Sequence, residues 1–367
     1  MTRSKVLYPI LLTVLAVSFS QAQVDSNFHC YLLFGQSNMA GGGAVSTAAV
    51  NCDTTSRIKV LAFCDCNGSS QNCNRPLNRT RDKWYTSFPP IHICSEGISP
   101  GDWFAKTLID SVRSDIKIGL IPCALSGQAL NVFLKGRSNF NIPTWAHPTL
   151  GNSSPYTWMY NRCKIAQQTG VIKGILLHQG ESGAGDGADW VKMAKGIFDT
   201  LKKDLNLDIN TPVIVGELRQ DVTVSPAPSG GNAGFNANLK KLANEYPSCA
   251  VASSAGLLGN GKDVWHFTPD GMTELGKRYA KAFLSLASPD YVPRQGTVSV
   301  ATPKTPKTVP VATVKSWKDE ARIFTLDGKV VPSFQFSGKT ALSGVRPGNM
   351  YLVTRNNNTG VKLMVVP

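Results

Sequence analysis

The sequence predicts an α/β protein, a parallel sheet covered by helices on both faces, with a small β module at its C-terminal end. Three observations lead there. Between residues 23 and 288 short apolar runs alternate with longer amphipathic segments, the pattern of strand–helix units whose strands are buried on both faces. Beyond residue 318 short apolar runs are separated by turn residues, which is how hairpins read. Of the 367 residues, 42% are hydrophobic and 17% charged, a balance that excludes wholesale disorder, a collagen-like chain and a coiled coil.

The chain opens with Thr2, Arg3 and Lys5, an apolar run from Val6 to Val17, and a small-residue exit at Ser20-Gln21-Ala22. This reads as a signal peptide over residues 1–22, because about 12 apolar residues fall short of the roughly 20 that span a bilayer. A secreted or cell-surface protein without a membrane span after cleavage is therefore expected. In an oxidising compartment the nine cysteines favour disulfides over metal. The Cys64, Cys66 and Cys73 cluster lacks the second paired half of a zinc site. Residues 51–81 are expected as a long surface loop stapled by one or two bridges. An odd count leaves a thiol over, and Cys123, inside the apolar run Ile118–Leu125, is the candidate for a buried free cysteine.

Within residues 23–288, buried strands are expected at Tyr31–Phe34, Ile116–Ile121, Ile172–Leu177 and Pro212–Val215. Helices are expected at Asp102–Arg113, Tyr160–Gln168, Trp190–Leu205, Asn236–Tyr246 and Thr268–Leu286. Residues 289–318, where Pro293, Pro303, Pro306 and Pro310 stand among Thr, Val and Lys, read as a linker. Residues 319–367 read as the β module, with runs at Ile323–Leu326, Val330–Val331, Tyr351–Val353 and Leu363–Val366, and too short for more than a thin core. Half of the formal net charge of +14 sits at this end: ten Lys or Arg against three acids over residues 303–367. The rest of the chain shows no basic helix with interleaved aromatics, which argues against nucleic acid as a partner.

In sheets of this kind ligands bind beyond the carboxyl ends of the strands, so the strand exits carry the functional reading. After the first strand comes Gly35-Gln36-Ser37-Asn38-Met39-Ala40-Gly41-Gly42-Gly43, a serine on a tight, glycine-flanked turn. A nucleophile needs such exposure, with its own amide aimed at a developing oxyanion. The turn is not the Gly-x-Ser-x-Gly elbow, and it lacks the Lys-Ser/Thr ending of a phosphate loop. After the third strand, His178-Gln179-Gly180-Glu181-Ser182-Gly183 places an imidazole, an amide and a carboxylate together. His178 reads as a structural hydrogen-bonder, with Trp265 and His178 as substrate-contacting candidates. The better base is His266, just before the last helix, where Thr268 caps and Pro269 takes the first turn. Asp263, three residues earlier, can hold its Nδ1–H. Trp145, Trp158 and Trp265 are candidates for stacking on a sugar.

Together, Gly35–Gly41, Gly97-Ile98-Ser99-Pro100, the His178–Ser182 block and Asp263-x-x-His266 resemble the SGNH hydrolase superfamily, most closely its carbohydrate esterase family 6 and sialate O-acetylesterase-like branch. The resemblance implies a flavodoxin-like three-layer α/β/α sandwich. It implies Ser37 as nucleophile, His266 as base, either Asp263 or Glu181 as the acid, and an oxyanion hole from the amides of Ser37 and Gly97 with the Gln179 side chain. It further implies deacetylation of carbohydrate, foremost acetylated xylan, with no cofactor or metal; O-acetylated sialic acid is the other substrate, and a non-catalytic polysaccharide-binding protein on the same scaffold the rival. The β module resembles a bacterial type IX secretion sorting domain, implying that secretion machinery as a partner.

Overall fold

The computed structural model describes residues 24–42, 52, 54–70, 72–138, 141–142, 144–183, 187–221 and 231–287, together with five strands between 321 and 365. The expected signal peptide and linker lie outside the described residues. The chain divides into two compact units, Met1–Pro293 and Arg294–Pro367.

The first unit is built on a seven-stranded sheet. Its strands are β1 (Phe28–Gly35), β2 (Ile58–Leu61), β3 (Trp84–Thr86), β4 (Lys117–Ala124), β5 (Val171–His178), β6 (Val213–Gly216) and β7 (Cys249–Ala252). They lie in the order β3-β2-β4-β1-β5-β6-β7. All neighbours are parallel except the edge pair β2 and β3. Without that edge pair, the five remaining strands run in flavodoxin order, which reverses direction across β1 and β5 and opens a crevice beyond their carboxyl ends.

Alternation along β1 sorts the two cores. Phe28, Cys30, Leu32 and Phe34 face one side, packing with residues of α4 (Pro155–Gln167), α5 (Ala188–Asp204) and α6 (Gly231–Glu245). Tyr31 and Leu33 face the other, with α2 (Pro100–Ile109) and α7 (Pro269–Leu286). Two shorter helices, α1 (Ser37–Ala40) and α3 (His147–Leu150), are also present among the described residues. The three-layer α/β/α architecture is the one expected.

Helix starts follow local chemistry. Ser99 accepts from the Gly101 amide while the buried Asp102 carboxylate accepts from the Ser99 amide, a capping box at α2. Ser154 and Thr268 cap α4 and α7, each followed by proline.

The cysteine-rich segment is not all loop. It contributes β2, whose Ile58, Val60 and Leu61 are buried, correcting the expectation of a surface excursion. Two disulfides hold it, Cys52–Cys73 and Cys66–Cys94, the second reaching out of the segment. The Cys64 sulfur lies 3.8 Å from that of Cys66 and 3.5 Å from that of Cys94, and Cys73 is drawn to Cys52 instead. Cys123 is a free, fully buried thiol, as are Cys30 and Cys163.

In the second unit, β8 (Ala321–Phe324), β11 (Met350–Arg355) and β12 (Lys362–Val365) form an antiparallel sheet in the order β12-β11-β8. A further antiparallel pair joins β9 (Gln335–Ser337) to β10 (Ala341–Ser343).

Candidate active site

Ser37 begins α1 directly beyond β1, and the helix is only four residues long because Gly41 ends it. The Gly41 backbone is left-handed, with φ of 101°, and its amide donates to the Ser37 carbonyl. A side chain here would be strained and would strike the Gly97 carbonyl oxygen at 2.6 Å. The short turn therefore sets the serine at the carboxyl end of β1, where it is largely buried.

Across the crevice, the loop before α7 is folded around one carboxylate. Asp263 Oδ1 accepts from the amides of Trp265 and His266 at 2.7 and 2.8 Å. Its Oδ2 lies 2.9 Å from His266 Nδ1 and accepts from Asn260 Nδ2 at 3.0 Å. Burial alone would raise the Asp263 pKa, but the side-chain bonds from Asn260 and His266 and the two backbone amides together hold it well below the usual carboxylate range. His266 Nε2, the opposite ring nitrogen, lies 2.8 Å from Ser37 Oγ. Residues 229 positions apart are thus brought into one hydroxyl–imidazole–carboxylate relay.

Of the two acids that the resemblance offered, Asp263 is the one on His266, and the expectation for Glu181 is corrected: it is not part of that relay. Its Oε1 accepts from Asn38 Nδ2 at 2.5 Å and lies 3.3 Å from His178 Nε2. Burial pushes the Glu181 pKa up, but the facing His178 and the Asn38 amide outweigh it and hold the carboxyl low. His178 is fully buried, its Nδ1 3.3 Å from the Tyr279 hydroxyl, so it has no surface to offer a substrate.

The two further oxyanion donors expected from the resemblance are also turned elsewhere. The Gly97 amide donates to the Gly41 carbonyl at 3.0 Å. Gln179 Nε2 donates to Gln36 Oε1, Gln128 O and Ser182 O at 2.9, 3.2 and 2.7 Å, and its Oε1 accepts from Trp190 Nε1. A primary amide has two N–H groups, so these acceptors consume both. Gln179 instead ties the exits of β1, β4 and β5 together. The Ser37 amide remains, at the first position of α1, where helix geometry gives an N–H no intrahelical partner.

Among the aromatic candidates, Trp158 is buried edge-on against Phe63, which removes it from substrate contact. The Trp145 side chain lies outside the described residues. Trp265 is half-buried beside His266.

Two positioning groups escaped the reading of the sequence. Asn38, fully buried, donates to Glu181 and to the Trp265 carbonyl at 3.0 Å, and its Oδ1 accepts from the Phe267 amide at 3.4 Å. It clasps the residues on either side of His266, and its place next to Ser37 was the available signal. Arg219, beyond β6, donates to the Asp263 carbonyl at 3.0 Å while paired with Asp221. Nothing in its neighbourhood along the chain marks it. Gly42 packs against the reacting pair itself: a Cβ there would lie 2.9 Å from Ser37 Cβ and 3.3 Å from His266 Nε2. Gly42→Ala should accordingly lower kcat by about 10²-fold, the typical cost of displacing reacting groups by about 1 Å. Steady-state kinetics of the folded variant checks this, and an unchanged kcat would show that the gap tolerates a methyl group.

Comparison with known proteins agrees in two respects. A family profile described as carbohydrate esterase, sialic acid-specific acetylesterase, matches residues 27–285. A probable carbohydrate esterase of Arabidopsis thaliana is 26% identical over 262 residues, covering 70% of this chain and 90% of its own. Among solved structures, an Arabidopsis thaliana protein superposes with a TM-score of 0.53 at 24% identity, over 70% of this chain and 98% of that one. NanS superposes at 0.51 and 14% identity, over 72% and 98%. At these identities the structural likeness speaks for the fold.

Proposed function

Because the chain belongs to the sialic acid-specific acetylesterase family of carbohydrate esterases, and is thus a hydrolase of acetyl esters, we propose that it deacetylates acetylated xylan through an acetyl-enzyme on Ser37. The observation that carries this reading is the 2.8 Å approach of Ser37 Oγ to His266 Nε2, with Asp263 on the opposite ring nitrogen. His266 takes the serine proton as Oγ attacks the acetyl carbonyl. Asp263 keeps Nδ1 protonated, so that Nε2 is the accepting nitrogen, and stabilises the imidazolium that forms. The oxyanion is met by the Ser37 amide. The protonated His266 then gives its proton to the departing sugar hydroxyl, and the same ring activates water to release acetate.

The two disulfides suit an extracellular location, and among the described residues no helix is long and apolar enough to cross a membrane. On this reading the protein is exported by way of residues 1–22, and the second unit serves as its sorting module. Acetate release from acetylated xylan and from an O-acetylated sialoside, measured side by side, tests the substrate: xylan should be turned over faster. Preference for the sialoside would overturn the xylan assignment while leaving the acyl-transfer chemistry intact.

A further inference from the structure

One ionisable side chain at the catalytic rim has no part in the relay. Glu96 precedes α2, and its backbone is fastened on three sides. Its amide donates to the Ile93 carbonyl at 3.0 Å, its carbonyl accepts from Asn72 Nδ2 at 3.1 Å, and the following amide, that of Gly97, holds the Gly41 carbonyl. That last bond ties the segment to the turn bearing Ser37. The carboxyl is half-buried, and burial raises its pKa above the ordinary carboxylate value, an effect that the hydrogen bond from the Ser126 hydroxyl only partly offsets.

Among the described residues the Glu96 carboxylate accepts a single side-chain hydrogen bond, from Ser126 Oγ at 3.2 Å. Ser126 stands two residues past β4, where the Leu125 amide donates to the Gly35 carbonyl at 2.9 Å, so this hydroxyl also lies at the carboxyl edge of the sheet. An ionised carboxylate has about four acceptor positions. One that is drawn partly out of water and serves a single donor keeps capacity for donors on a ligand. It also repels a second negative charge brought to the same rim.

We propose that Glu96, assisted by Ser126, is a specificity-determining acceptor, which takes a free hydroxyl of the sugar whose acetyl group lies at Ser37 and selects neutral acetylated sugars over those bearing a carboxylate. The inference rests on the esterase reading of Ser37 and narrows its substrate class. Full-length wild type, Glu96→Gln and Ser126→Ala are compared by kcat/KM on an aryl acetate, a mono-O-acetylated xylo-oligosaccharide and O-acetylated N-acetylneuraminic acid.

The ratio of xylo-oligosaccharide to aryl acetate should fall about tenfold or more in Glu96→Gln, chiefly through KM, as expected when a hydrogen bond to a charged acceptor is weakened. In Ser126→Ala it should fall a few-fold. The ratio of neutral to anionic sugar should drop in Glu96→Gln as well. Ratios unchanged within about twofold would overturn the proposal, as would an equal loss on all three substrates, which marks a structural role. Aryl acetate turnover that survives Ser37→Ala would instead remove Ser37 as the nucleophile, and the proposal with it.

Discussion

Ser37→Ala is expected to reduce acetate release by about 10⁴-fold or more, the scale on which loss of a serine nucleophile acts. The change is confined to chemistry because the bond lost is the one to His266 Nε2. The backbone that shapes the turn, with Gly41 and Gly42 donating to the Ser37 carbonyl at 2.8 and 2.6 Å, needs no hydroxyl. Circular dichroism and the thermal midpoint should therefore match wild type while turnover of both aryl and sugar acetates disappears. Residual turnover within tenfold of wild type would remove Ser37 from the nucleophile's position.

The second large effect separates the two acids. Asp263→Asn should lower kcat by about 10⁴-fold, since an amide cannot hold the imidazole in the accepting tautomer or stabilise its charged form. Glu181→Gln should cost about tenfold, because Glu181 reaches the relay only through Asn38, and a glutamine oxygen can still accept from that amide. Equal losses would make Glu181 a direct partner of the base. Asp263 also sets a pH expectation. Its folded-state pKa is depressed, so the stabilisation it contributes is present above the unfolded carboxylate value and is lost as pH falls through the lower folded one. Protonation of Asp263 should therefore not limit activity until well below the usual carboxylate range, and Asp263→Asn should flatten the acid side of the stability profile.

What was legible in the sequence was what is local. Short apolar runs marked β1, β4 and β5, and proline after a capping residue marked the start of α7. Asp263 and His266, three residues apart, close their own turn, and Ser37 stands on a turn whose glycines are visible. The missed strands were those whose identity depends on a partner. β3 is three half-buried residues paired to β2, and β7, Cys249-Ala-Val-Ala252, is short and small. β2 hid in a stretch whose cysteines pointed to loop. The start of α4 at Pro155, after Ser154, was written in the chain and passed over.

Directions of side chains were harder than positions. Gln179 and Glu181 stand at a strand exit facing the crevice, yet their partners lie 143 positions away in Gln36 and Asn38. Competition among buried acceptors decides where an amide points, and that competition has no signature along the chain. The His178–Ser182 block accordingly reads as a clasp that holds the β1 and β5 exits together across the switch point. The reacting groups themselves come from the two segments on either side of it.

Brief reaction of the protein with an acetyl ester, acid quenching and peptide mass mapping would show the intermediate itself. The account predicts one acetyl group on the peptide containing Ser37, absent from Ser37→Ala. Acetate released with no acetyl group on the protein, or an acetyl group carried by another residue, would contradict it.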